Sequence, residues 1–530
     1  MSIEEGHCRP DPRTIRDVVL TGHDLTLEQF VAVARRKAKV SISDEAMQAM
    51  TKCREMVERF TEEGKVIYGI TTGFGGLSNK VVSPEEAAKL STNLILSHAV
   101  GIGEPYLEEQ VRGMMLLRAN ALCAGISGAR PIIATMLVEM LNKGVIPVVP
   151  QKGSLGASGD LAPLSHMGLV LLGGGTATYG GRKWSGAKAM ALAEIPVLDT
   201  LVSKEGLAVT NGTCAMTSVG ALNLYDAMET VDLADIVAAV TFTALNGQLP
   251  AFDERVHMAR PHPGQILTAR NMRLLTAQSK NLKYAQGERV QDAYALRCIP
   301  QAHGAAREAL DYVRHAVEIE LNAVTDNPLI FPDGTVISGG NFHGDPMAIP
   351  FDTLGIALTK LASISERRTE RMVNPNLSNG LPAFLAPESG VNSGFMIVQY
   401  TAASVVSENK VLAHPASVDS IPSSANQEDY VSMGTTAARK AGEILENARS
   451  VLGCELWTAC QALDLRCRDL WWPDSPVLAV YDLVRDKAGI SAMEKDREMR
   501  IDMEKIQVLV RSGKIQRTVR EMVPGFGHEA

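Results

Sequence analysis

No two of the eight cysteines (Cys8, Cys53, Cys123, Cys214, Cys298, Cys454, Cys460 and Cys467) form a CxxC pair, and they are scattered along 530 residues. This spacing argues against a disulfide-stapled secreted module and a paired-cysteine zinc site, so free thiols are expected. HExxH is absent, as is a Walker glycine loop ending in Lys-Ser/Thr. GIGEP at 101–105 is too short a glycine pattern for a dinucleotide site, so no metal and no nucleotide is expected. No apolar run approaches the roughly 18 residues of a membrane helix. The opening stretch MSIEEGHCRPDPRTIRD is polar, without the apolar centre of a secretory signal, and a cytoplasmic protein is expected. Tandem repeats, low-complexity tracts and long Pro/Ser/Gly linkers are also missing, which points to closely packed parts.

The composition that remains is that of an ordinary globular protein, with 45% hydrophobic and 21% charged residues. A net charge of -8 is thin over this length, and nothing suggests a nucleic-acid partner. The length exceeds a usual single domain, so two domains, or one with a large extension, are expected.

Helical periodicity dominates. Leu310, Val313, Val317, Leu321 and Val324 recur at spacings of three and four until Thr325, Asp326, Asn327 and Pro328 break the pattern. Leu354, Leu358, Leu361 and Ile364 form a second stripe before the charged Glu366, Arg367 and Arg368, and Thr436 to Leu463 reads as one long helix. Gly and Pro gather earlier, in Tyr68 to Gly76, Gln151 to Leu164 and the glycines at 173–175. The chain is therefore expected to be mainly α, with a loop-rich N-terminal domain over 1–220 and a more helical domain over 221–530.

The densest run of small residues is KGSLGASGDLAPLSH, Lys152 to His166. Ala157, Ser158 and Gly159 permit a tight turn that bulkier side chains would obstruct. Glycine at 159 permits a second outcome: its nitrogen can approach the Ala157 carbonyl carbon and close a five-membered ring. Loss of water from that ring and from Ser158 would leave an exocyclic methylene. No standard side chain is an electrophile, so chemistry that needs one takes a cofactor or a modified backbone.

GSLGASGDLAPLSH resembles the signature of the aromatic amino acid ammonia-lyases and aminomutases, whose Ala-Ser-Gly cyclises to methylidene-imidazolone (MIO). YGITTGFG, SHAVGIGEP, EGLAVTNGT, VQDAYALRCIPQ, GGNFHG, NSGFMI and SANQEDYVSMG resemble further segments of the same family, spanning residues 68 to about 435. The resemblance implies a fumarase/aspartase-like architecture in which 221–530 is a helical-bundle domain, an MIO formed autocatalytically from Ala157, Ser158 and Gly159, and a homotetramer acting on a small aromatic amino acid.

The resemblance also implies roles for single residues. Tyr68 matches the catalytic base, although a Tyr beside glycines is more often a packing anchor. A phenolate base requires a pKa drawn down from about 10. Arg297 matches the partner of the substrate carboxylate, which a guanidinium can hold through two parallel hydrogen bonds. Tyr294, three residues earlier, matches a group near the amine and the electrophile. Asn211 and Gln291 match polar groups that hold the substrate or the prosthetic group. Phe342 matches a ring beside the electrophile, although an isolated Phe is ordinarily core. Asp160 could orient the tripeptide or simply belong to the turn.

His98 and Glu428 bear on substrate choice, because an imidazole offers donor and acceptor nitrogens that a histidine and a carboxylate engage. A phenyl substrate would leave those groups unpaired. The segment His414 to Asp429 and NSGFMI resemble the histidine branch of the family, which implies L-histidine converted to trans-urocanate and ammonia. Tyr430 departs from that branch, which commonly carries His after QED, and MGTTAARK at 433–440 resembles some aminomutases. A tyrosine or phenylalanine ammonia-lyase and a 2,3-aminomutase therefore remain alternatives. A fumarase-like lyase with an unmodified serine loop is disfavoured because GSSxMPxKxN is absent. A non-catalytic helical scaffold has no need of Tyr68, Tyr294, Arg297 and Glu428 together.

Overall fold

The computed structural model describes residues 10–72, 82–287, 289–466 and 475–527. Cys8, Cys467 and the stretch 73–76 of the first glycine-rich segment lie outside the described residues. The fold is mainly α. Four long helices, Cys214–Ala244, Ile299–Glu320, Asp345–Val373 and Gly434–Arg466, pack against one another as a central bundle. Met396–Leu412 lies against the last two.

The Cys214–Ala244 helix is buried almost all round and therefore shows no apolar stripe. It approaches Asp345–Val373 closely because Gly220 has no side chain; a Cβ there would sit 2.0 Å from the Phe351 ring. Residue 220, where the sequence suggests a domain boundary, falls inside this helix.

Leu310, Val313 and Val317 of the first stripe lie buried in Ile299–Glu320, which is capped at the buried Leu321, one turn before Thr325 to Pro328; Val324 lies beyond the helix and is half-buried. The Leu354 stripe lies in a helix that runs on through Glu366, Arg367 and Arg368 to Val373. It does so because Arg368 turns inward and pairs with Glu455, at 2.5 and 2.9 Å, with both side chains fully buried. The same helix contains an 18-residue window of mean hydropathy 1.3, but 61% of that window is buried among the neighbouring helices.

Strands are few and short. Among the described residues, Ile146–Pro147, Thr176–Tyr179 and Arg182–Ser185 form a three-stranded sheet, and there are three two-stranded ribbons besides. One ribbon positions the site: Ile102–Pro105 runs antiparallel to Pro150–Lys152 with an irregular register, laying SHAVGIGEP beside the start of the Ala-Ser-Gly loop. Gly101 N–H donates to His166 Nε2 at 3.0 Å and fastens the two segments. The six described cysteines are free, and all but Cys298 are buried.

Candidate active site

Four helices begin around the loop 154–160: Leu161–Leu171, Cys214–Ala244, Asp345–Val373 and Gly434–Arg466. Residues at or next to their first turns hold the loop through its backbone. Gly344 N–H and Ser432 Oγ both donate to Gly156 O at 3.1 Å, and Met433 N–H donates to Leu155 O at 2.9 Å. Asp160 N–H donates to Gly212 O at 2.7 Å, and Gly212 N–H donates to Ser158 O at 3.3 Å. Four positive helix ends directed at one loop favour negative charge developing there.

Gly159 has φ +72°, and a Cβ at that position would lie 2.2 Å from Gly212 O. Only glycine fits both the backbone conformation and the space. Asp160 is fully buried: its Oδ2 accepts from the backbone amides of Ala215 and Met216 at 2.9 and 2.8 Å, and its Oδ1 accepts from Ser154 Oγ at 2.8 Å and from Thr435 Oγ1. Burial pushes its pKa upward, against the pull of these donors. Asp160 thus ties the loop to the first turns of two bundle helices, which is more than turn chemistry requires.

The Ser158 hydroxyl lies 3.0 Å from the Asn211 amide. Asn211 ends the short helix Glu205–Thr210. With its nitrogen toward Ser158 it donates to Ser158 O and Oγ at 2.9 and 3.0 Å, while its oxygen accepts from Asn327 N–H at 3.1 Å. This orientation satisfies both ends of the amide.

Tyr68 is half-buried in a turn where Ile67 N–H donates to Thr71 Oγ1 at 2.9 Å. Ser203 Oγ donates to Ile70 O at 2.6 Å, fastening this turn to the segment that leads through Glu205–Thr210 to Asn211. His98 ends the helix Pro84–His98 half-buried, with Nδ1 2.9 Å from Ser97 Oγ, and burial lowers its pKa. Glu428 is half-buried, and burial raises its pKa. Its backbone pairs with Ser423 around a loop in which Ser424, Ala425 and Asn426 all have positive φ, a strained path for non-glycine residues. Among the described residues neither His98 nor Glu428 is hydrogen bonded to the tripeptide.

Tyr294 and Arg297 share one helical turn, with the guanidinium carbon 4.7 Å from the ring centre. Tyr294 is 70% exposed, whereas Arg297 Nε is buried with no acceptor among the described residues. A buried donor lacking an acceptor suits a carboxylate ligand. Gln291 is exposed on the segment leading into this turn. Phe342 is half-buried two residues before Gly344, whose amide holds Gly156. Its neighbour His343 stacks on Tyr430 and lies 3.2 Å, through Nε2, from Tyr430 O.

Sequence reasoning did not single out His343, Ser154, Gly212, Asn327, Ser432 or Thr435. All but Asn327 stand inside quoted motifs or next to the tripeptide, but only folding reveals that they touch.

An aromatic amino acid lyase family model matches residues 25–486. The chain is 54% identical over 509 residues to a histidine ammonia-lyase of Caldanaerobacter subterraneus subsp. tengcongensis, covering 96% of this chain and 99% of that one. It is 55% identical over 511 residues to one from Alkaliphilus metalliredigens, with the same coverage. Among solved structures it resembles histidine ammonia-lyase from Trypanosoma cruzi, with TM-score 0.88, 40% identity and 96% of both chains covered. It also resembles tyrosine aminomutase from Streptomyces globisporus, with TM-score 0.90, 38% identity and 96% and 99% covered. With a family match over most of its length, and relatives above 50% identity across nearly all of it, the chain belongs to the aromatic amino acid lyase family.

Proposed function

We propose that this protein eliminates ammonia from an aromatic L-amino acid, with L-histidine as the leading substrate and trans-urocanate as the second product. The observation that carries the reading is the Ala157–Ser158–Gly159 turn, where a Cβ at residue 159 would strike Gly212 O and the Ser158 hydroxyl meets Asn211. This cradle fits a self-made MIO. Ring closure joins the Gly159 nitrogen to the Ala157 carbonyl carbon, and the carbonyl oxygen leaves as water with the amide protons of Ser158 and Gly159. The Ser158 hydroxyl then leaves as a second water with the Ser158 Cα proton. The group supplies an electrophile for the substrate that no ordinary side chain provides.

The remaining work falls to the side chains. Arg297 binds the substrate carboxylate and fixes its orientation. Tyr68 takes the β-proton, with Tyr294 beside the amine. Asn211 and Gln291 hold polar groups of the substrate or of the modified loop, and Phe342 packs beside them. His98 and Glu428 recognise the imidazole, and burial of both supports a site that a phenyl ring would leave unsatisfied. The four helix N-termini around the loop stabilise negative charge developing there.

A homotetrameric, cytoplasmic enzyme is part of the same reading. Ile397, Tyr400 and Val411 on Met396–Leu412, with Val391, Val418 and Ile421 nearby, are exposed apolar side chains of the kind subunit contacts cover. A division into 1–220, which carries the tripeptide, and 221–530, which carries most of the bundle, accompanies it.

Tyr430 and the likeness to a tyrosine aminomutase favour a second reading, in which the substrate is tyrosine or phenylalanine, or ammonia returns to the neighbouring carbon. A panel of histidine, tyrosine and phenylalanine, followed for ammonia, β-amino acid and ultraviolet-absorbing product, separates these. Intact mass tests the electrophile: a wild-type chain that lacks the loss of two waters rules it out.

A further inference from the structure

Lys204 and Asp326 are both wholly excluded from solvent, with Nζ 2.6 Å from Oδ2. Lys204 has φ +75°, a left-handed conformation that a lysine adopts only when its surroundings enforce it. It stands at the N-terminus of the six-residue helix Glu205–Thr210, whose far end is Asn211. On the other side of the pair, Asp326 Oδ1 accepts the backbone N–H of Asn327 at 2.7 Å. That same N–H lies 3.1 Å from the Asn211 amide oxygen. Asn327 is itself held by its side chain, whose Oδ1 accepts from Gly339 N–H at 2.7 Å and whose Nδ2 donates to Ser338 Oγ at 3.1 Å.

Two routes from the pair therefore converge on one amide, one along the short helix and one through the Asn327 N–H. Asn211 in turn contacts both oxygens of Ser158. A buried ion pair is a poor source of stability, because desolvating both charges offsets their attraction, and an apolar pair of similar volume often serves as well. What an ion pair supplies that an apolar pair does not is a fixed separation and direction.

We propose that Lys204 and Asp326 are positioning residues that set the Asn211 amide against Ser158 and thereby govern ring closure at Ala157–Ser158–Gly159. The proposal rests on the self-made electrophile described above. The step it governs is the loss of two waters from Ala157–Ser158–Gly159, which needs no oxidant or further reactant.

The test is the intact mass of freshly purified full-length protein, read beside circular dichroism and thermal melting, for wild type, Lys204→Met, Asp326→Asn and Lys204→Met/Asp326→Leu. The double variant leaves no unpaired buried charge, and Asp326→Asn keeps the side chain's size with one acceptor oxygen, enough for either Lys204 or the Asn327 N–H but not both, so a collapse of Lys204→Met does not end the test. Folded variants with wild-type helical signal are expected to show at least a tenfold smaller fraction of chains lacking two waters. A folded double variant that loses both waters as completely as wild type overturns the positioning role and leaves the pair as mere packing. If the wild-type chain itself retains both waters, it is the underlying electrophile that fails, and the two failures are told apart by that control.

Discussion

The His343 imidazole lies over the Tyr430 phenol, ring centres 5.6 Å apart and planes 12° from parallel. The stack joins the loop that carries Phe342 to the loop that carries Glu428, and so couples two segments proposed to shape the substrate pocket. Offset aromatic pairs contribute about 0.5–1.5 kcal/mol, and Tyr430 is 59% exposed, so its value lies in position more than in stability.

Tyr430→Ala should therefore raise KM for the preferred amino acid severalfold, with little change in melting temperature. Tyr430→His, which restores a stackable ring, should recover most of the loss for histidine. Steady-state kinetics with histidine and tyrosine check this; an unchanged KM in the alanine variant would detach the stack from substrate recognition.

Tyr68→Phe should lower kcat by about 10²-fold or more, the usual worth of a general base, while KM moves only a few-fold. Turnover retained at the wild-type level removes Tyr68 from the proton transfer.

Arg297→Met should act mainly on substrate capture. Loss of a charge-assisted contact costs about 1.5–3 kcal/mol, which is roughly a 10- to 150-fold fall in kcat/KM. Aromatic amines that lack a carboxylate should inhibit wild type and variant equally. If Arg297→Met also left kcat/KM for the amino acid unchanged, another group would hold the carboxylate.

Glu428 has a folded pKa raised by burial from its ordinary value of 4.5. A raised carboxyl pKa means that the folded state favours the protonated form, so the stability contribution is present at low pH and lost as pH rises from about 4.5 through the folded value. Glu428→Gln, which mimics the protonated form, should melt higher than wild type at pH 7 and alike at pH 4. Calorimetry at the two pH values decides, and a gain that is the same at both refutes the assignment.

Arg368 and Glu455 cross the bundle core with neither side chain exposed. His303 Nε2 lies 3.3 Å from Arg368, and His303 Nδ1 lies 2.7 Å from Asp235 Oδ1. Glu455→Leu alone should destabilise by about 3–5 kcal/mol, because it strands a buried guanidinium. Chemical denaturation measures the loss; a cost below 1 kcal/mol would mean that water reaches Arg368.

Much of this protein was legible in its residues. The spacing of Leu310, Val313, Val317 and Leu321 identified a bundle helix because periodicity is local. The string around Ala157, Ser158 and Gly159 was legible because a turn with no room for side chains demands small residues at adjacent positions. Helix ends were less legible: the stripe that stopped before Glu366 did not foretell that Arg368 would find Glu455, a partner 87 residues away.

Chemistry type and fold class were thus determined by the sequence, since both depend on local patterns and an extended motif. Which groups surround the tripeptide was decided only by tertiary structure. Gly212 against Gly159, Asn327 against Asn211, Lys204 on Asp326 and His343 over Tyr430 each join segments far apart in the chain. Such contacts depend on where four long helices place their ends, and no single stretch of residues encodes that.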